Sequence, residues 1–229
     1  ARSTRRPRDG IRSRPLQRPS AAAAIAPTAP QKRQAESTTV HWPSLLAVLG
    51  IFLLALTIRS AWTLDAATED GFKLTGGSDP YYHKRVVDYV MENGEHLVRD
   101  EMLNYPYGAN NNRPPLFDWS IAIAGLVLAP FFGDAAESTW WAMEVLPAVY
   151  GALIVFPVYA IGRAQFGRGA GLLGALFIAV NSGHISHSTI SLADHDSYVI
   201  FFGTCAFFFF MRALTEGSDA RWIADWRSV

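Results

Sequence analysis

Ser191-Leu192-Ala193-Asp194-His195-Asp196-Ser197 places two carboxylates two residues apart, between apolar runs at 169–190 and 198–214. Asp and Glu are expensive inside a bilayer, so an acidic pair at the mouth of two spans is either a solvated loop or a site. Carboxylates at that spacing reach one hard divalent cation, which takes oxygen ligands. An ordinary polar loop explains the pair equally well, and the rest of the chain has to decide between the two.

The 229 residues carry no formal net charge, and half of them are hydrophobic. These averages hide an asymmetry. Residues 1–42 hold nine Lys or Arg against only Asp9 and Glu36, amid Pro, Ala and Ser. Such a segment cannot bury a core. Its composition is that of a transit peptide or an anion-binding arm as well, but a disordered cytoplasmic tail that orients the first span is the plainer reading. The single cysteine, Cys205, excludes disulfide scaffolds and Cys-based zinc sites. No internal repeat or Gly-rich phosphate loop is evident, and no nucleic-acid partner is implied.

From residue 43 the chain reads as an all-α polytopic membrane domain, extending to 214, with 215–229 opening a cytoplasmic loop. Spans are expected at about 43–64, 140–162, 169–190 and 197–214, each long enough to cross a bilayer. Arg59, near the end of the first, is expected to snorkel outward. Residues 65–139 form an external loop. In it, Gly76-Gly77-Ser78-Asp79-Pro80-Tyr81-Tyr82-His83 opens a helix over 80–93, which ends near Asn93-Gly94. Asp before Pro is a helix-start pattern, so local sequence gives Asp79 an N-cap role. Residues 116–132 form a second helix. Its clean apolar run, 121–132, is only 12 residues long, which suits a surface helix better than a span. Trp140 and Trp141 suit the interface, and Glu144 should reach headgroup level. Gly167, Gly171 and Ala175 allow close helix packing. Asn181, His184, His187, Ser191 and Asp194 form one polar stripe if the third span stays helical.

Counting crossings fixes the topology. With 116–132 lying in the interface, Arg163 and Arg168 fall inside, the acidic pair outside, and Arg212, Arg221 and Arg227 inside again. Every loop then obeys the positive-inside rule, and Asp79, Asp194 and Asp196 share the external face.

The order SDPYYH, Arg113-Pro114-Pro115-Leu116-Phe117-Asp118-Trp119 and ISHSTISLADHDSY resembles the catalytic subunit of oligosaccharyltransferase, archaeal type, over about residues 43–214. The resemblance implies the multi-span inverting (GT-C) glycosyltransferase fold. It further implies transfer of an oligosaccharide from a dolichyl-type lipid carrier to the Asn of Asn-x-Ser/Thr, on the external side of the cell membrane. Asp79 would contact the acceptor amide. Asp79, Asp194 and Asp196 would hold Mn²⁺ or Mg²⁺. Tyr81, Arg113 and His195 would lie beside the site. His187 stands where relatives carry an Arg that meets the donor. Members of that family are much longer and supply an essential Glu from a later loop, so the resemblance implies an N-terminal portion that is inactive alone. A protein mannosyltransferase or a polytopic transporter are the alternatives the residues leave open.

Overall fold

The structure, a computed structural model, describes residues 41–61, 63–65 and 73–216. Most of the expected basic tail, and residues 217–229, lie outside the described residues.

Helix α1 (Trp42–Ser60) begins where the His41 ring accepts from the Ser44 amide and Pro43 occupies the first turn. Ser44, Val48, Ala55 and Arg59 are its buried stripe. Val48 and Ala55 pack against Ala152, Val155, Ala175 and Ala179, while Leu46, Leu49 and Leu53 face outward, toward lipid. Helix α2 (Asp79–Asn93) ends on Gly94, whose φ of 70° supplies the left-handed cap. It buries Val86, Val87 and Val90 against Phe117, Ile121 and Met143. Two short antiparallel strands, β1 (Arg99–Asp100) and β2 (Ala109–Asn110), follow.

Helix α3 (Pro115–Phe132) and helix α4 (Ala135–Leu153) form a tight hairpin. A Cβ on Gly125 would lie 2.4 Å from the Thr139 hydroxyl, so only glycine lets the two backbones approach this closely. Helix α3 is 18 residues long and, by length and composition alone, apolar enough to cross a bilayer. It is longer than its clean apolar run because Asp118 is buried against a histidine instead of ending the helix in water.

Helix α4 runs almost unbroken into helix α5 (Val155–Phe166), giving an apolar segment of 32 residues. At 1.5 Å per residue that is about 48 Å, well beyond the ~30 Å hydrocarbon core, so the segment must tilt or project from it. Helix α6 (Arg168–Val180) folds back on α5, with Gly162 and Gly171 meeting backbone to backbone and Ala175 buried. Gly167 does not join this stripe; it makes the turn, at φ 91°.

The long helix expected over 169–190 is not formed. Asn181 adopts ψ 115° and its side chain accepts from the His184 amide, starting a separate single turn, α7 (Ser182–Ile185). The expected polar stripe is broken with it. Polar side chains buried in a membrane protein need internal partners, and Arg59 supplies them for His184 and Ser188. Its guanidinium is fully buried, not turned outward. It donates to Ser188 Oγ (2.9 Å), His184 Nδ1 (2.9 Å) and the Ala179 carbonyl (3.1 Å). Glu144 is also buried rather than at a surface. Helix α8 (Asp196–Glu216) completes the described fold.

Candidate active site

The acidic loop between α7 and α8 is fixed by backbone bonds to three other parts of the chain. Ile190 N–H donates to the Arg59 carbonyl (3.1 Å) and Ser191 N–H to the Glu144 carbonyl (2.9 Å). Ser191 in turn accepts from Thr75 N–H at 2.8 Å. Ser191 takes a positive φ of 65°, which turns the chain between these bonds. Gly76, at φ 94°, lies so close to Leu192 that an added Cβ would stand 2.8 Å from its Cδ1. The loop preceding α2 and the acidic loop are therefore pressed together, 116 residues apart in sequence.

Asp79 is the first residue of α2 and does not cap it: the N-cap is Ser78, with no side-chain cap bond. Its carboxylate accepts instead from Arg113 at 2.8 Å, and the same guanidinium lies over the Tyr82 ring, 4.4 Å from its centroid. Burial pushes the Tyr82 phenol above its ordinary range. Tyr81 turns to the other face of α2, where it lines a groove with Lys84, Asp88 and Trp140.

His83 lies one turn beyond Asp79, on the same helical face. It is fully buried and meets Phe117 edge-on, the ring centroids 4.9 Å apart. Its Nδ1 is 2.6 Å from Oδ1 of Asp118, also fully buried. Its Nε2 has no hydrogen-bond partner and faces Oδ1 of Asp194 at 3.9 Å. Asp194 accepts from the His195 amide at 2.7 Å, and His195 Nδ1 is equally close to it, without the alignment of a hydrogen bond. Among the described residues, His83, Asp194 and His195 form the group whose donor atoms, all within 4.8 Å of one another, suit a metal ion. Asp196 pairs with His187 Nδ1 at 2.9 Å.

The sequence reading thus put Asp79 and the Asp194–Asp196 loop on one face, and the structure joins their elements through His83 and Thr75. His83 and Asp118 lie in the SDPYYH and Arg113–Trp119 motifs but carry no site role in the sequence alone. The signal was present: His83 follows Asp79 by four residues, and Asp118 is the only charged residue in an apolar helix.

Residues 45–225 match the family described as oligosaccharyl transferase STT3, N-terminal. The chain belongs to this family. It is 30% identical over 178 residues to the dolichyl-monophosphooligosaccharide–protein glycotransferase AglB of Haloferax volcanii, covering 76% of this chain and 16% of that protein. Two crystal structures of the Archaeoglobus fulgidus oligosaccharyltransferase share its fold at 24% identity. One, tethered to an acceptor peptide with an NVT sequon, superposes with a TM-score of 0.72 over 83% of this chain and 23% of that one. The other, a complex with Zn and sulfate, gives 0.69 over 78% and 23%. This STT3-family chain therefore spans about a fifth of the length of those relatives. It is a mostly helical, multi-pass membrane protein with the GT-C fold.

Proposed function

We propose that the whole protein transfers an oligosaccharide from a dolichyl phosphate or pyrophosphate carrier to the Asn of Asn-x-Ser/Thr, inverting the anomeric centre. The observation that carries this reading is the meeting of two acidic loops: the one opening α2 at Asp79 and the one holding Asp194 and Asp196. Membership of the STT3 family, a relative named for a dolichyl-linked donor and another bound to a sequon peptide favour it over the mannosyltransferase and transporter alternatives.

The contact between His83 and Asp194 also supports the proposed topology, with the N-terminus inside and the acidic loops outside. Loops in contact on one face need an even number of crossings between them, a condition met when the α4–α5 segment and the α6 region each cross once and α3 lies in the interface.

In this reading Asp79, Asp194 and Asp196 hold Mn²⁺ or Mg²⁺. Asp79 engages Arg113 and Asp196 engages His187 through one oxygen each, leaving the other for a ligand. Among the described residues, however, only Asp194 of the three stands in a group with donor atoms within 4.8 Å of one another, so Asp79 and Asp196 would have to move inward to share one ion with it. A relative crystallised with Zn and sulfate is in keeping with a cation. Bound there, a divalent cation neutralises charge on a leaving phosphate. An amide nitrogen is a poor nucleophile because its lone pair is delocalised. Asp79, accepting from the acceptor amide N–H, favours a twisted amide and frees that pair. Arg113, held between Asp79 and the Tyr82 ring, orients the carboxylate. Transfer to a sequon peptide should stop when EDTA strips the protein and return with Mn²⁺; full activity in EDTA contradicts the metal reading.

A further inference from the structure

Two fully buried polar groups, His83 and Asp118, sit beneath the acidic loop, and neither has an evident structural need to be there. Apolar residues surround them: Phe117, Ile121 and Val86 are all buried in the same cluster. A buried polar atom without a partner costs roughly 1–3 kcal/mol. His83 Nε2 is such an atom. A carboxylate only accepts, so the short contact to Asp118 puts the proton on Nδ1 and leaves a bare lone pair on Nε2. That lone pair faces Asp194 Oδ1 at 3.9 Å, a second acceptor. Asp194 Oδ1 already accepts from the His195 amide, and a cation between it and the His83 lone pair would satisfy both, as a proton or a water also would.

We propose that His83 Nε2 is a direct ligand of the divalent cation at the acidic loop, with Asp118 the residue that orients it. A carboxylate on one ring nitrogen and an open second nitrogen is the arrangement by which proteins fix a metal-binding imidazole. The 3.9 Å separation lies between the spacing of neighbouring ligands, about 3 Å, and of opposed ones, about 4.2 Å, for metal–ligand bonds near 2.1 Å. The His83 ligand makes this a mixed nitrogen and oxygen site. It selects Mn²⁺, Fe²⁺, Co²⁺ or Zn²⁺ over Mg²⁺, which holds to oxygen. This inference rests on the cation reading above and deepens it.

The test uses the whole protein in lipid nanodiscs, stripped with EDTA, with Mn²⁺ and Mg²⁺ alone as probes. In a His187→Ala/His195→Ala background, pulsed EPR of bound Mn²⁺ should still show ¹⁴N modulation from a coordinated imidazole. Adding His83→Asn, whose amide can replace Nδ1 toward Asp118, should abolish that modulation. In the otherwise unaltered protein His83→Asn should weaken Mn²⁺ binding at least tenfold while moving Mg²⁺ binding less than threefold. Asp118→Asn should weaken Mn²⁺ binding about ten- to a hundredfold with His83 still present. If Mn²⁺ binds but the background shows no nitrogen, the His83 ligand is wrong and the oxygen site stands. If the unaltered protein binds no Mn²⁺, both are wrong. The background measurement decides the matter even where His83→Asn fails to fold.

Discussion

Single buried side chains set the conformation of the acidic loop. Arg59 is the clearest: one guanidinium serves Ser188, His184 and two carbonyls, at Ala55 and Ala179. Its role was not legible, because a lone Arg near the end of a span ordinarily snorkels and its partner Ser188 is 129 residues away. Asp79 was legible as a helix-start residue, but its bond to Arg113 spans 34 residues and no local pattern announces it. Away from the membrane, Asp100 shows the same economy. Arg85 donates two bonds to it and Met102 N–H a third, holding its carboxyl below the usual range. Because its folded-state pKa is depressed, this stabilisation is present above the unfolded value, about 3.9. It is lost as pH falls through the folded value. Arg85 is half-exposed, so the contribution is modest, about 1–2 kcal/mol. Asp100→Asn should lower the melting temperature at pH 7 and flatten its fall below pH 4. Parallel melting-temperature curves for the two proteins would contradict this role.

Helices meet here through glycine. Gly125 admits Thr139, and Gly162 admits Gly171. Gly125→Val should force α3 off α4 and cost about 1–3 kcal/mol, read as a lower melting temperature in nanodiscs. An unchanged melting temperature would mean the hairpin tolerates separation. Hydropathy located α1, α4–α5 and α8, because each carries an uninterrupted apolar run. It could not find the end of α6 at Val180. The apolar pattern continues past it, and the break depends on Asn181 capping the next turn and on Arg59 holding the His184 and Ser188 side chains beyond it. The helix over α3 was legible, but its burial of Asp118 was not, since that depends on His83 from α2.

At the scale of the molecule, the two acidic loops meet only because the chain returns to the same face between them. Charge asymmetry of the loops leads from sequence to an expectation of one shared face; the geometry of the meeting depends on contacts 116 residues apart that no local pattern announces. In a Cys205→Ala background, Met102→Cys and His187→Cys, both exposed sites, should react with an impermeant thiol reagent from outside. Arg163→Cys should react only after permeabilisation, and the reverse pattern would overturn the orientation. The central claim is that Asp79 and Asp194, on loops that meet from either side of α3–α7, serve one reaction. Its most direct measurement is transfer of a dolichyl-linked oligosaccharide to a sequon peptide by the whole protein carrying Asp79→Ala or Asp194→Ala. Both variants should remain folded and lose transfer by at least a hundredfold; transfer within threefold of the unaltered protein in either would contradict a shared site.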